Sequence, residues 1–433
     1  MSTRQLHFNA FLHGCGHHQA AWRLPGSSVE QLEEITYYER LAQTAEAGLF
    51  DAIFFADGQA VRDPAVGPQW SLEPLTALAA IARNTSHIGL ICTVSTTFHT
   101  PFHAARMLAS LDHISHGRIG WNVVTSMFDA EARNHSMKRM PTSAQRYARA
   151  AEFIDVASGL WDSWDDDAVV AQRQADFADP AKIHSVNHIG EYFQVAGPLN
   201  IPRGPQGRPV LFQAGASESG RDVASRYAEG IYAVAYDLAS GQQYYADVKR
   251  RIASQGRDPA GVPIMPGLVT FLGSTQAEAQ AKRAAVDALL PVKHSLAQLS
   301  TFIGQDCSEW ELDAPVPDLP AATEFWGPQG RYTTILRIIE SERPTVRQLL
   351  GRLAAGGGHC AMVGTPEQVA DMIENWFVSG AADGFNLMPP MLPDALEEFI
   401  DRVIPLLQRR GLYRTEYSAT TLRGHLGLER PSG

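Results

Sequence analysis

Two rhythms of apolar and polar positions take turns along this chain. Short runs that alternate or stay apolar for five to ten residues lie at Leu6–Leu12, Phe50–Ala56, His87–Thr93, Gly117–Ser126, Pro209–Ala214, Gly230–Tyr236, Ile264–Phe271 and Gly384–Met388. Their period suits buried strands. Between them, apolar residues recur at helical spacing. In Glu30–Ala47 the repeat is Leu32, Ile35, Tyr38, Leu41 and Ala45, and Gly48 supplies a stop signal. Further helices are predicted over Glu73–Arg83 with Pro74 in the first turn, Pro101–His116, Ala144–Leu160, the segment ending near Glu229, Gly241–Ser254, Ala277–Leu290 and Pro366–Ser379. Strands that alternate with helices predict βαβ units on a parallel sheet. With about eight of each, the fold class is α/β, a (β/α)8 TIM barrel.

Two stretches break the alternation. Residues 160–208 begin with an acidic patch, Asp162–Asp167, read as a solvated loop, and hold a hairpin that turns near Gly190. Residues 291–358 show no clear barrel unit and end in Gly356-Gly357-Gly358, a mobile-loop composition. A long insertion in a barrel is more often a lid than filler. The tail carries a helix, Ala395–Arg409, and an irregular end. The expected organisation is one domain, 1–433, with these two insertions.

Composition narrows the class. The 433 residues are 45% hydrophobic and 19% charged, enough for a large core. The net charge of −11, from 36 basic and 47 acidic side chains, argues against nucleic acid or an anionic membrane as the main partner. Cys15, Cys92, Cys307 and Cys360 are far apart and suggest neither a disulfide framework nor a zinc knuckle. The first residues lack a signal-peptide pattern, and no apolar run is long enough for a bilayer, so a cytoplasmic protein is expected.

Barrel active sites form at the C-terminal ends of the strands. Those ends carry His17 and His18, Asp57, Thr93 to Thr97, Asn122 with Thr125 and Ser126, Ser217 to Ser219, Asp237 and Asn386. Neutral hydrogen-bonding groups dominate, and no carboxylate pair or Schiff-base lysine stands out. Such a lining suits a polar cofactor that brings its own reactivity. In Gln213–Arg221, small residues and two serines open a helix: either a phosphate site or a simple N-cap at Ser217 or Ser219. Asp57 either accepts a bond from a bound ring or stabilises the turn with Gly58. Ser143 and Tyr147 are four apart and share a helix face if the helix starts early enough. His13, Cys15, His17 and His18 raise a metal site as an alternative, without a nearby carboxylate.

Six stretches together resemble one family: Gly16-His-His-Gln-Ala-Ala-Trp-Arg23, Phe54-Phe-Ala-Asp57, the run from Ser110 through Asn122 to Ser126, Gly197-Pro-Leu-Asn-Ile-Pro202, Gln213-Ala-Gly-Ala-Ser-Glu-Ser-Gly220 and Val363-Gly-Thr-Pro-Glu-Gln368. The chain resembles the bacterial luciferase-like flavin-dependent monooxygenases, and within them the branch of nitrilotriacetate and dibenzothiophene-sulfone monooxygenases. The resemblance implies a barrel that binds reduced FMN from a separate NAD(P)H-dependent flavin reductase. It implies that oxygen adds to the flavin as a C4a-(hydro)peroxide and that one oxygen atom passes to a small organic substrate. It also implies a homo-oligomer, dimer or tetramer. Carried over by position, the FMN contacts fall on Asp57 and Thr93 at the ring, Tyr147 toward the chain and Ser217 at the phosphate. Ser143 stands where relatives usually have His, and His17 and His18 fall on the substrate side. A metal-dependent barrel hydrolase, a flavin-binding protein without oxygenase activity and a deazaflavin-dependent oxidoreductase are the competing readings.

Overall fold

The structure is a computed structural model that describes residues 4–61, 64, 66–68, 72–174, 176–321 and 329–432. Its strands are β1 (His7–Leu12), β2 (Ala52–Phe55), β3 (Gly89–Ser95), β4 (Ile119–Val124), β5 (His188–Ile189), β6 (Gln194–Val195), β7 (Val210–Gln213), β8 (Gly230–Ala233), β9 (Ile264–Leu272), β10 (Cys360–Gly364) and β11 (Gly384–Leu387). Eight of them close a ring in the order β1-β2-β3-β4-β7-β8-β9-β11, every neighbour parallel. This is the (β/α)8 barrel. β5 and β6 form the hairpin around Gly190, outside the ring. β10 extends the sheet on the second half of β9, Cys360 opposite Leu268 and Gly364 opposite Leu272.

Strand alternation sorts the core into two shells. Outward residues such as Phe8, Leu12, Phe55, Trp121 and Phe385 pack under the helices. Inward residues fill the lumen, with Ala52, Ile91, Val210 and Phe212 low and Phe11, Phe54, Tyr232 and Met388 higher. The lower end is stoppered by the tail. The short helix Leu422–His425 pushes Leu422 into the ring, where a Cβ on Gly89 or Gly120 would lie 2.5 and 3.0 Å from its methyls. Glycine at those two strand positions makes room for the plug. Around the same end, the fully buried carboxylate of Asp51 pairs with Arg414 and lies 3.2 Å from His7 Nδ1.

Arg118, in the stretch before Asn122, is 2% exposed. It donates to the carbonyls of Ala82, Thr85, Ile88 and Ser115 and to the Thr85 hydroxyl. The guanidinium ties the end of one βα unit to the start of β4.

Several expectations change. The first long helix spans Ile35–Ala47, after a short turn at Val29–Gln31. Gly48 is its C-cap, as expected, with φ of −77°; Leu49 takes the positive φ of 62°, and a Cβ on Gly48 would lie 2.7 Å from Ile400. The acidic patch is not simply solvated: Asp162 pairs with Arg203 and Arg208, and Asp166 with Arg430. The described residues of 291–358 include three helices, Val292–Ile303, Gln329–Glu342 and Val346–Ala354, around a small core of Leu296, Leu299, Ile303, Ile338 and Leu349. Gly356–His359 form a turn that leads into β10. The tail helix is broken into Asp394–Arg402 and Ile404–Arg409, because Pro405 lacks the N–H that would bond back.

Candidate active site

At the C-terminal end of the ring, three inward aromatics form a floor. Phe11 meets Phe54 at 4.8 Å and Tyr232 at 5.7 Å between ring centroids, and Phe54 meets Tyr232 at 5.7 Å. His13, His17 and His359 stand on one side of this floor. His17 donates from Nε2 to the Phe11 carbonyl at 2.9 Å and lies 5.4 Å from the His13 ring. His13 is exposed at the end of β1. Burial lowers its pKa, and burial with neighbouring His13 holds His17 well below the ordinary imidazole range. Both are neutral at physiological pH.

The opposite side belongs to β2, β3 and β4. Thr93 is 5% exposed and donates to the Phe55 carbonyl at 2.8 Å, while Asn122 Nδ2 donates to its hydroxyl at 2.9 Å. Adjacent strands in register, Thr93 opposite Asn122, bring the pair together. Asn122 Oδ1 is buried and has no partner among the described residues. An acceptor buried this way costs free energy unless a ligand donates to it. Asp57 lies half-buried just past β2 and accepts from Gln59 Nε2 at 2.7 Å. Burial, with Glu73 and Glu131 nearby, raises its pKa against the pull of that bond. A ring N–H would be a suitable further donor to it.

A third group lies where the helix after β4 meets the loop after β7. The helix Ser143–Trp161 begins at Ser143, so Ser143 and Tyr147 do share a face; Thr142 is the N-cap and Ser143 is exposed. Ser217 is the N-cap of the helix Glu218–Tyr227, accepting from the Gly220 N–H at 3.2 Å. Its hydroxyl also lies 3.5 Å from Tyr147 Oη. Ser217 therefore caps the helix and faces Tyr147, so capping and anion contact are not exclusive there. Gly215 keeps this corner open, since a Cβ would sit 3.0 Å from Tyr147 Oη and 2.8 Å from Gly220 Cα. Tyr244 stands behind it, its buried hydroxyl without a partner among the described residues and its pKa pushed up to about 12 by burial. Hydroxyls, free N–H groups and a helix N-terminus suit a phosphate. Together with the Asn122 and Asp57 acceptors, this donor set has the chemistry to hold a phosphorylated polar cofactor.

His18 does not join His17. Its side chain is fully buried, Nδ1 accepts from the Ala20 N–H at 3.1 Å, and Nε2 donates to Asp287 at 2.9 Å. Gly14 and Gly16, with φ of 47° and 127°, turn the chain so that successive histidines diverge. Cys15 is buried with its pKa raised to about 11, chiefly by burial. Among the described residues, no three His, Cys, Asp or Glu side chains are grouped to hold a metal. Sequence reasoning missed Tyr232, Tyr244 and a site role for His359. Tyr232 had a signal, its period-two register with Gly230 and Val234 on an inward face. The other two depend on how separate segments pack.

Barrel, aromatic floor and phosphate-ready corner define a cofactor-dependent (β/α)8 enzyme with its site at the strand ends. Comparison with known proteins makes the assignment specific. Residues 10–383 match the model of the luciferase-like monooxygenases, and the chain belongs to that family. It is 43% identical to the N-acetyl-S-(2-succino)cysteine monooxygenase of Bacillus subtilis (strain 168), over 99% of this chain and 98% of the relative. It is 42% identical to nitrilotriacetate monooxygenase component A of Aminobacter aminovorans, with the same coverage. The EDTA monooxygenase of Chelativorans sp. BNC1 superposes with a TM-score of 0.84 at 36% identity, over 99% of each chain. The chain is a flavin-dependent monooxygenase. No helix among the described residues is long and apolar enough to cross a membrane.

Proposed function

We propose that this chain is the oxygenase component of a two-component system, acting in the cytoplasm on a small organic substrate. Reduced FMN comes from a separate NAD(P)H-dependent flavin reductase. The observation that carries the reading is the Ser217–Tyr147 corner, together with a buried Asn122 acceptor that has no partner among the described residues. When bound, reduced FMN supplies the electrons that activate oxygen. The protein does the rest. Ser217, Tyr147 and the N-terminus of the helix Glu218–Tyr227 hold the phosphate, with Ser143 within reach of the chain. Asp57, Thr93 and Asn122 orient the ring. His17 offers a neutral imidazole on the substrate side; His18 acts indirectly, by fixing the loop that carries His17. The insertion 291–358 is a lid that keeps water from the reacting atoms.

The substrate class follows from the floor and wall: an apolar body against Phe11, Phe54 and Tyr232, with polar groups toward His13 and His17. Among relatives, one is named for nitrilotriacetate and another for dibenzothiophene sulfone, so carboxylated amines and organosulfur compounds head the screen. A homo-oligomer is part of the reading; exposed Phe177 and Ile189 on the first insertion are surfaces for it. Sedimentation would show dimer or tetramer. The deciding experiment mixes purified protein with a generic flavin reductase, FMN, NADH and candidate substrates, and follows oxygenated product. Product that needs both FMN and oxygen is expected. Activity that survives without flavin and needs a stoichiometric metal would replace this reading with a hydrolase; peroxide release without product from any substrate would leave a flavin-binding protein.

A further inference from the structure

His359 reaches the barrel from the insertion. Gly356, Gly357 and Gly358 join the helix Val346–Ala354 to β10, and Gly357 and Gly358 take φ of 62° and 106°, where a side chain is strained. The turn directs His359 into the lumen. Its ring lies parallel to Tyr232, 5.3 Å between centroids and 3° between planes, and its Nε2 is 3.1 Å from Tyr232 Oη. β9 makes room for it: a Cβ on Gly267 would sit 2.4 Å from His359 Nδ1 and 2.7 Å from Met388 Sδ.

A second grip lies four residues along the same strand and loop. Arg352 Nη1 donates to the His359 carbonyl at 3.4 Å, and its guanidinium lies 4.7 Å over the Tyr236 ring. The Tyr236 hydroxyl in turn donates to Glu342. The insertion and the turn after it thus hold β8 at Tyr232 and the segment past β8 at Tyr236. Only the first of these contacts is part of the cavity floor, since Tyr232 also packs on Phe11 and Phe54.

We propose that His359, which directly follows the 291–358 lid, is a positioning residue that seats the lid's end on Tyr232 through the Gly267 notch and seals the aromatic floor against water. The inference rests on reading 291–358 as a lid over a reduced-FMN site. In the sealed site, bound reduced FMN is protected from the wasteful reaction FMNH2 + O2 → FMN + H2O2. Loss of the seat admits water and speeds that reaction.

The test uses the full-length protein loaded with reduced FMN and no substrate. The variants are His359→Ala, Gly267→Ala, Tyr232→Phe and His359→Gln. Two quantities are measured: hydrogen exchange of amides over 346–364, and the rate of hydrogen peroxide release after mixing with oxygen. His359→Ala and Gly267→Ala, one removing the imidazole and the other displacing it, should raise both at least tenfold. Tyr232→Phe keeps the stack and loses the hydrogen bond, so a smaller rise is expected; His359→Gln, which keeps a polar group there, should fall between wild type and His359→Ala. Affinity for reduced FMN should stay within twofold of wild type. If either quantity is unchanged in Gly267→Ala and His359→Ala, the seal is wrong. Wild-type protein that binds no reduced FMN would defeat the underlying reading instead.

Discussion

The hydroxyls of Tyr147 and Ser217 lie 3.5 Å apart although 70 residues separate them in the chain. One comes from the helix after β4, the other from the loop after β7, and these strands are neighbours in the ring. The relationship converts two weak local signals into one corner.

That corner makes a prediction with separable parts. Ser217→Ala should weaken reduced FMN binding by roughly 1–3 kcal/mol and leave riboflavin binding unchanged. Ser217→Asp keeps a side chain able to cap the helix but sets a negative charge against the phosphate. It should preserve the melting temperature and lose FMN. Anaerobic flavin titrations and thermal denaturation measure both; normal FMN binding by Ser217→Asp would remove the phosphate from this corner.

Thr93 joins three strands through one hydroxyl, to the Phe55 carbonyl and from Asn122. Thr93→Val keeps the shape and strips both bonds, leaving buried groups unpaired. A loss of about 1–3 kcal/mol in urea unfolding is expected. An unchanged midpoint would mean that the pair contributes to the site alone.

Asp112 gives stability a pH dependence. Burial raises its pKa to about 6 against the bond from Gln206, above an unfolded value of roughly 3.9. Its stabilising, protonated form is fully present below the unfolded pKa, and that contribution is lost as pH rises through the folded value. From pH 4 to 7.5 the wild type should lose up to about 3 kcal/mol through this group. Asp112→Asn should lack that component. Parallel denaturation curves of the two proteins across this range would contradict the assignment.

Leu422 fills the lower end of the ring against Gly89 and Gly120. Leu422→Ala opens a cavity there and should cost about 2–5 kcal/mol, read as a lower melting temperature. The active site lies at the far end of the strands, so the affinity for reduced FMN should persist in the folded fraction.

The alternation of short apolar runs with helical repeats determined the barrel, because strand and helix periods are local properties that survive without tertiary context. The first seven ring strands and the last were all readable in this way. The same reading gave the hairpin near Gly190 and the polar strand ends, since side chains at those ends follow from strand direction. What it could not decide depended on segments far apart in the chain. β10 was hidden because its strand follows three glycines and pairs only with the second half of β9. His18 parted from His17 because Gly14 and Gly16 bend the backbone, and Asp287, 269 residues on, meets it. Tyr244 and His359 reach the site by helix packing and by a notch at Gly267, neither of which leaves a periodic trace. Local hydrogen bonding and burial are written along the chain; the meeting of distant side chains is settled only when the ring closes.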